Sequence, residues 1–256
     1  MVMIRKLHPR QYSKVESVLL HLLDAASLEW LYHFEAARDK IVVYRDKSFK
    51  DCMLIFGKIN VLIVTDSQAI LEDFLKKLDA AKGYGFRCPE WMAPTIMEKF
   101  PPKEADYKGI VLLTYSSSKD EFVKYSGVHH IVRVLSEDDA NEVIAYSSHH
   151  WSPVFIRERV KKGVFYGIYQ ANELISWVGT IWESKIACEI GFAFTKEGHR
   201  GEGLMKTLTS VITEKILQGQ KIPILHTVET NTPAIRVAES LGYNLRAREW
   251  AYFYNL

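Results

Sequence analysis

The stretch His199-Arg200-Gly201-Glu202-Gly203-Leu204 decides how the second half of the chain is read. It follows a strand-like run, Ile186 to Phe194. It precedes Leu204, Met205, Leu208, Val211, Ile212 and Ile216, which recur at helical spacing until Gly219. Glycine admits φ > 0 and close backbone approach, so Gly201 and Gly203 let successive N–H groups converge on one anion. A helix starting there adds unpaired donors and the positive end of its dipole, worth roughly 0.3–1 kcal/mol toward a charge in reach. Arg200 can add a charge-assisted hydrogen bond. Taken alone, the stretch has two readings: a pyrophosphate cradle, or an ordinary glycine turn before a helix.

The surroundings are well punctuated. Upstream lie a strand from Ile131 to Leu135, then Ser136 as N-cap with Asp139 three residues on, and Ala140, Val143 and Ile144 as one helical face. A second helix is expected over Pro153 to Lys162, and strands over Val164–Tyr169, Leu174–Trp182 and Ile186–Phe194. Downstream come a strand at Ile222–Val228, a helix capped by Thr232 with Pro233 at its first position and Gly242 past its end, and strand-like Tyr243–Tyr254. The first half shows short β-rich runs at Ile41–Tyr44, Cys52–Phe56 and Val61–Thr65, the last two joined through Gly57-Lys58. Ile70, Leu71, Phe74, Leu75 and Leu78 mark a helix ended by Gly83, Phe86–Pro102 reads as irregular, and Ile110–Tyr115 as a strand. Ser116 to Glu121, with Gly127 after it, is the best linker, which divides the chain into residues 1–125 and 126–256. This order predicts an α+β or mixed α/β fold, a mostly antiparallel sheet flanked by helices, with a smaller N-terminal α/β domain.

Composition excludes several classes. The 256 residues are 48% hydrophobic and 25% charged, enough for packed cores and too much for disorder. A formal charge of +2 from 33 basic and 31 acidic residues, with no basic block, argues against nucleic acid or an anionic membrane as partner. The start carries charges and Pro9 where a signal peptide needs an apolar run, and nothing approaches the roughly 18 apolar residues of a membrane span. Cys52, Cys88 and Cys188 are odd in number and scattered, which fits a reducing, cytoplasmic setting. His129-His130 and His149-His150 lack a third ligand at recognisable spacing, so they read as polar contacts and no metal is expected.

Arg200-Gly-Glu-Gly203-Leu-Met205 resembles the Arg/Gln-x-x-Gly-x-Gly/Ala motif of the GNAT superfamily of acyl-CoA-dependent N-acyltransferases. Asn231-Thr-Pro-Ala-Ile-Arg-Val-Ala-Glu-Ser-Leu-Gly-Tyr243 is similar to that superfamily's closing segment, and the resemblance covers about residues 129–254. Phe194-Thr-Lys-Glu-Gly-His-Arg200 is similar to the loop of two-domain, glycine N-acyltransferase-like members, in which a degenerate N-terminal half precedes an active C-terminal half. The resemblance implies acetyl-CoA or another short acyl-CoA as co-substrate and a small amine or amino acid as acceptor. It places the pyrophosphate on His199, Arg200, Gly201, Glu202, Gly203 and Leu204, counts Met205 among the cofactor-binding residues, and sets the pantetheine arm beside Phe192, Ala193 and Phe194 and touching Asn231. Met205 stands where the motif has Gly or Ala, and Ala238 where many members carry a tyrosine that protonates the departing thiolate. Oligomeric state is not readable.

Acyl transfer needs a base. Within Ile186-Ala-Cys-Glu-Ile-Gly-Phe-Ala-Phe194, strand alternation puts Glu189 on a face with Gly191 and Ala193, leaving room for a ligand, while Ile190, Phe192 and Phe194 point away. The position also resembles that of the catalytic Glu in glycine N-acyltransferase-like enzymes; the alternative is a solvent-facing strand glutamate. Cys188 faces the opposite way unless a bulge intervenes, and reads as packing. The favoured chemistry is direct attack in a ternary complex, with a main-chain N–H near Phe192 or Ala193 polarising the carbonyl. A non-catalytic acyl-CoA-binding protein on the same fold is the alternative.

Overall fold

The computed structural model describes residues 4–22, 31–32, 35, 38–57, 60–101, 109–126, 131–147, 151–162 and 164–254. Both histidine pairs and Gly127 lie outside them. Two compact units emerge: Met1–Thr114 with Arg246–Leu256, and Tyr115–Leu245. Seven α-helices and twelve strands are described, in mostly antiparallel sheets flanked by helices.

The first unit contains β1 (Arg5–Lys6), α1 (Tyr12–Leu22), β2 (Ile41–Arg45), β3 (Cys52–Phe56), β4 (Asn60–Val64), α2 (Gln68–Leu75), β5 (Tyr84–Pro89), α3 (Ala93–Lys99) and most of β6 (Ile110–Ser116). The chain's last strand, β12 (Asn244–Tyr254), pairs antiparallel with β5 from Glu249↔Pro89 to Tyr254↔Tyr84. β4 and β5 run parallel. Ile70, Leu71, Phe74 and Leu75, the apolar face read from α2, are buried against Met53, Phe86, Phe100 and Tyr252. The segment expected to be irregular holds β5 and α3 instead. Pro94 falls in the first turn of α3, where its missing N–H has no helical partner to lose, and Pro89 closes β5. α2 stops at Leu75, well before Gly83.

The second unit contains β7 (Val132–Val134), α4 (Ala140–Tyr146), α5 (Pro153–Lys161), β8 (Phe165–Gln170), β9 (Glu173–Glu183), β10 (Ala187–Thr195), α6 (Leu204–Gln218), β11 (Ile222–Val228) and α7 (Thr232–Ser240), with strand order β11-β10-β9-β8-β7. The Ser136–Asp139 capping box is formed reciprocally. α7 is capped by Asn231, whose side chain accepts from the Ala234 N–H at 3.4 Å, so Thr232 is the first helical residue rather than the cap. Ala140, Val143, Ile156 and Val160 of α4 and α5 pack with Phe165 and Trp177 on one face of the sheet. On the other face Cys188 lines a cavity of about 160 Å³ with Thr180, Ile212 and Ile216, the last two from α6.

Candidate functional site

The parallel ladder between β10 and β11 runs from Ala187↔Ile222 to Ile190↔Leu225 and stops there, although β10 continues to Thr195 and β11 to Val228. The two strands part like a V whose closed end is Glu189, Ile190 and Leu225. Beyond it, the edge of β10 that faced β11 presents main-chain groups outside that ladder, and such groups need partners.

β10 is also bulged at this point. Gly191 opposes Gly179 and Phe194 opposes Trp177, so three steps on β10 match two on β9. Phe192, inside the bulge, has φ +52°, a left-handed conformation that costs a non-glycine residue of order 1–3 kcal/mol and is held by its surroundings. Those surroundings are aromatic: Phe192 lies 5.1 Å from Phe165 and 5.3 Å from Trp151 between ring centroids, and Phe194 stacks on Trp177 at 4.8 Å. The bulge corrects the alternation expected from sequence. Phe192 and Phe194 pack on the Phe165–Trp177 face, the side of Gly191 and hence of Glu189, instead of pointing away from it. Ala193 is exposed.

Glu189 is not solvent-facing, being only 7% exposed. Its Oε1 lies 2.7 Å from His226 Nδ1, and each side chain is 9% exposed. His226 is the first residue of β11 past the last ladder pair. The sequence reading did not single it out, though its imidazole is the one titratable side chain of Ile-Pro-Ile-Leu-His-Thr-Val. Cys188, on the opposite face and 2% exposed, has its thiol pushed up to about 12 by burial, which disfavours the thiolate and fits a packing role.

The glycine loop joins β10 to α6. Glu197–His199 make one 3-10 turn, closed by the Arg200 N–H donating to the Glu197 carbonyl at 3.2 Å. Gly201 and Gly203 have φ +86° and +80°, and Gly203 is the N-cap of the 15-residue α6. A Cβ on Gly201 would meet nothing within 4 Å, so the requirement for glycine there is conformational rather than spatial. The amides of Gly201 to Lys206 make no hydrogen bond among the described residues, as expected of a helix start without a side-chain cap. Arg200 Nε donates to the Thr195 carbonyl at 3.3 Å, and His199 Nδ1 stands 3.5 Å from Glu202 Oε1. Leu204 is buried and Met205 half-buried. Asn231 is exposed and spends its side-chain oxygen on α7.

Ala238 is buried in α7 and offers no hydroxyl. Tyr243 is buried as well; burial raises its hydroxyl above the ordinary range, and its oxygen is paired with Thr213 Oγ1 at 2.6 Å. No group of three or more His, Cys, Asp or Glu suited to a metal occurs among the described residues, and none of their helices is long and apolar enough to cross a membrane.

The family model of FR47-like proteins matches residues 165–251, from β8 into β12. No curated protein matches the chain significantly by sequence. Solved structures do match. A Drosophila protein solved by structural genomics is 14% identical, with a TM-score of 0.74 and 98% of each chain covered. A GCN5-related N-acetyltransferase from Sphaerobacter thermophilus is 13% identical with a TM-score of 0.62, covering 98% of this chain and 94% of that one. A tandem GNAT protein from the clavulanic acid biosynthesis pathway is 11% identical with a TM-score of 0.59, covering 99% and 98%. The chain has the fold of the GNAT superfamily.

Proposed function

We propose that the protein transfers an acetyl or other short acyl group from acyl-CoA to a small amine or amino acid. The parting of β10 and β11 at Ile190–Leu225, with a buried carboxylate at its closed end and open helix amides at its mouth, carries this reading. The unpaired amides of residues 201–206 and the positive end of α6 suit the pyrophosphate, with Arg200 as flanking cation. The bulged edge at Phe192, Ala193 and Phe194 suits the pantetheine amides, with Asn231 reaching the same arm.

Glu189 takes a proton from the acceptor nitrogen as that nitrogen attacks the thioester carbonyl. The C–N bond forms, the C–S bond breaks, and its electron pair leaves on the CoA sulfur. A main-chain N–H near Phe192 or Ala193 holds the developing oxyanion. With Ala238 in place of a tyrosine, the thiolate leaves unprotonated or takes its proton from water. The same residue favours the second reading, acyl-CoA binding without turnover.

Residues 1–125 are read as a degenerate GNAT-like half. Support comes from coverage of 99% of this chain and 98% of a tandem GNAT protein. The three cysteines are free and buried, which suits a reducing cytoplasm.

The test combines acetyl-CoA binding, followed by thermal shift, with CoA thiol release across a panel of amines and amino acids. Binding with acceptor-dependent release is the expected result. Binding alone selects the second reading, and the absence of binding overturns both.

A further inference from the structure

We propose that His226 is a positioning residue for Glu189, the two forming one carboxylate–imidazole pair. This rests on the acyl-transfer reading above. An ionised carboxylate only accepts hydrogen bonds, so the 2.7 Å contact requires the hydrogen to sit on His226 Nδ1. That bond holds Oε1 and fixes the plane of the carboxylate, which leaves Oε2 as the oxygen that takes the amine proton. In the transfer step the proton passes from nitrogen to Oε2, the C–N bond forms, and the C–S electrons go to sulfur. The Nδ1 proton stays on His226 throughout.

Place and burial favour a working pair over incidental packing. Each side chain is only 9% exposed, so the bond acts where water competes little, and a carboxylate there without a partner would be strongly disfavoured. His226 follows directly on Leu225, where β11 leaves β10, so the ring stands at the closed end of the V. The β10–β11 ladder itself uses no side chain of either residue.

The full-length, ¹⁵N-labelled protein at pH 8 provides one test. Long-range ¹H–¹⁵N spectra should show His226 protonated at Nδ1, and Glu189→Ala should return it to the usual Nε2–H form. Turnover of acetyl-CoA with the most active amine of the panel provides the other. His226→Leu should lower kcat about 10- to 100-fold, as expected for a misplaced reacting group, with KM for acetyl-CoA within about twofold. His226→Asn, whose amide N–H can stand near the Nδ1 position, should recover to within about threefold of wild type. An intact acetyl-CoA thermal shift in His226→Leu separates loss of positioning from loss of fold.

An undiminished kcat in His226→Leu, with Glu189→Gln inactive, overturns the positioning role and leaves the base intact. If neither substitution slows turnover, the base assignment itself falls. If His226→Asn is as slow as His226→Leu, the imidazole itself is the base and the proposed order of the pair is wrong.

Discussion

Each unit contains a strand, a connection, a helix and a second strand parallel to the first, yet the two connections differ in kind. In the first unit β4 reaches α2 through Thr65-Asp66-Ser67, and the Ser67 side chain accepts from the Ile70 N–H at 3.4 Å. There a side chain takes one of the first amides. In the second unit β10 reaches α6 through residues 196–203, ending on two glycines at positive φ, and the N-cap has no side chain. The amides of residues 201–206 make no hydrogen bond among the described residues. β4, Asn60 to Val64, also holds no titratable residue, whereas β10 holds Glu189. The same crossover can thus start its helix with a side-chain cap or without one.

The largest expected effect falls on the acid that only β10 carries. Glu189→Gln keeps size and hydrogen-bonding capacity but removes the basic carboxylate, so kcat should fall roughly 10²- to 10⁴-fold, the usual range for acid–base participation. Acetyl-CoA affinity should hardly change, and steady-state kinetics with a responsive amine check both halves of the statement. Wild-type turnover in Glu189→Gln would make β10 as inert as β4.

Next comes the loop. Acetyl-CoA at about 100 times its Kd should stabilise the protein by about 2.7 kcal/mol. Gly203→Val should erase that gain in a thermal-shift titration, because φ +80° strains a β-branched residue where the cradle must form. A full shift in a folded Gly203→Val protein would mean that the two helix starts do not differ in ligand binding.

The converse change sharpens the contrast. Ser67→Ala should cost about 1 kcal/mol in chemical denaturation, the usual effect of losing an N-cap. Ser67→Gly should cost a few tenths and create no second acetyl-CoA site, since that short connection supplies no second glycine. Calorimetry that counts two sites in Ser67→Gly would refute the distinction.

The smallest effect concerns acid. Burial pushes the Asp139 carboxyl up, but hydrogen bonds from Tyr169 and Ser136 outweigh it and hold the group below its usual range. With a folded value below the unfolded one of about 3.9, its stabilisation is present above that pH and is lost as pH falls through the folded value. Asp139→Asn should therefore lose stability at pH 7 but flatten the acid limb below about pH 4, in denaturation curves collected across that range.

Much of this was legible in the residues themselves. Helical spacing from Leu204 to Ile216 located α6, and the strand expected at Ile222–Val228 is observed with those bounds. Prolines misled in the segment Phe86–Pro102: their density there suggested breakers, while Pro94 sits in a first turn that tolerates it, as the correctly read Pro233 does. Strand alternation placed Glu189 beside Gly191 correctly but put Phe192 and Phe194 on the wrong face, because a bulge adds a residue to one strand only.

Local chemistry therefore determined the element order from β7 to α7, the Ser136–Asp139 box and the positive-φ glycines Gly201 and Gly203, since period, caps and φ preferences act within a few residues. Only the tertiary structure decided where β10 and β11 part, which face the bulge turns outward, that Glu189 meets His226 across 37 positions, and that β12 returns to β5. Those features depend on ladder register between distant strands. Register is a property of the pair, written in neither strand alone.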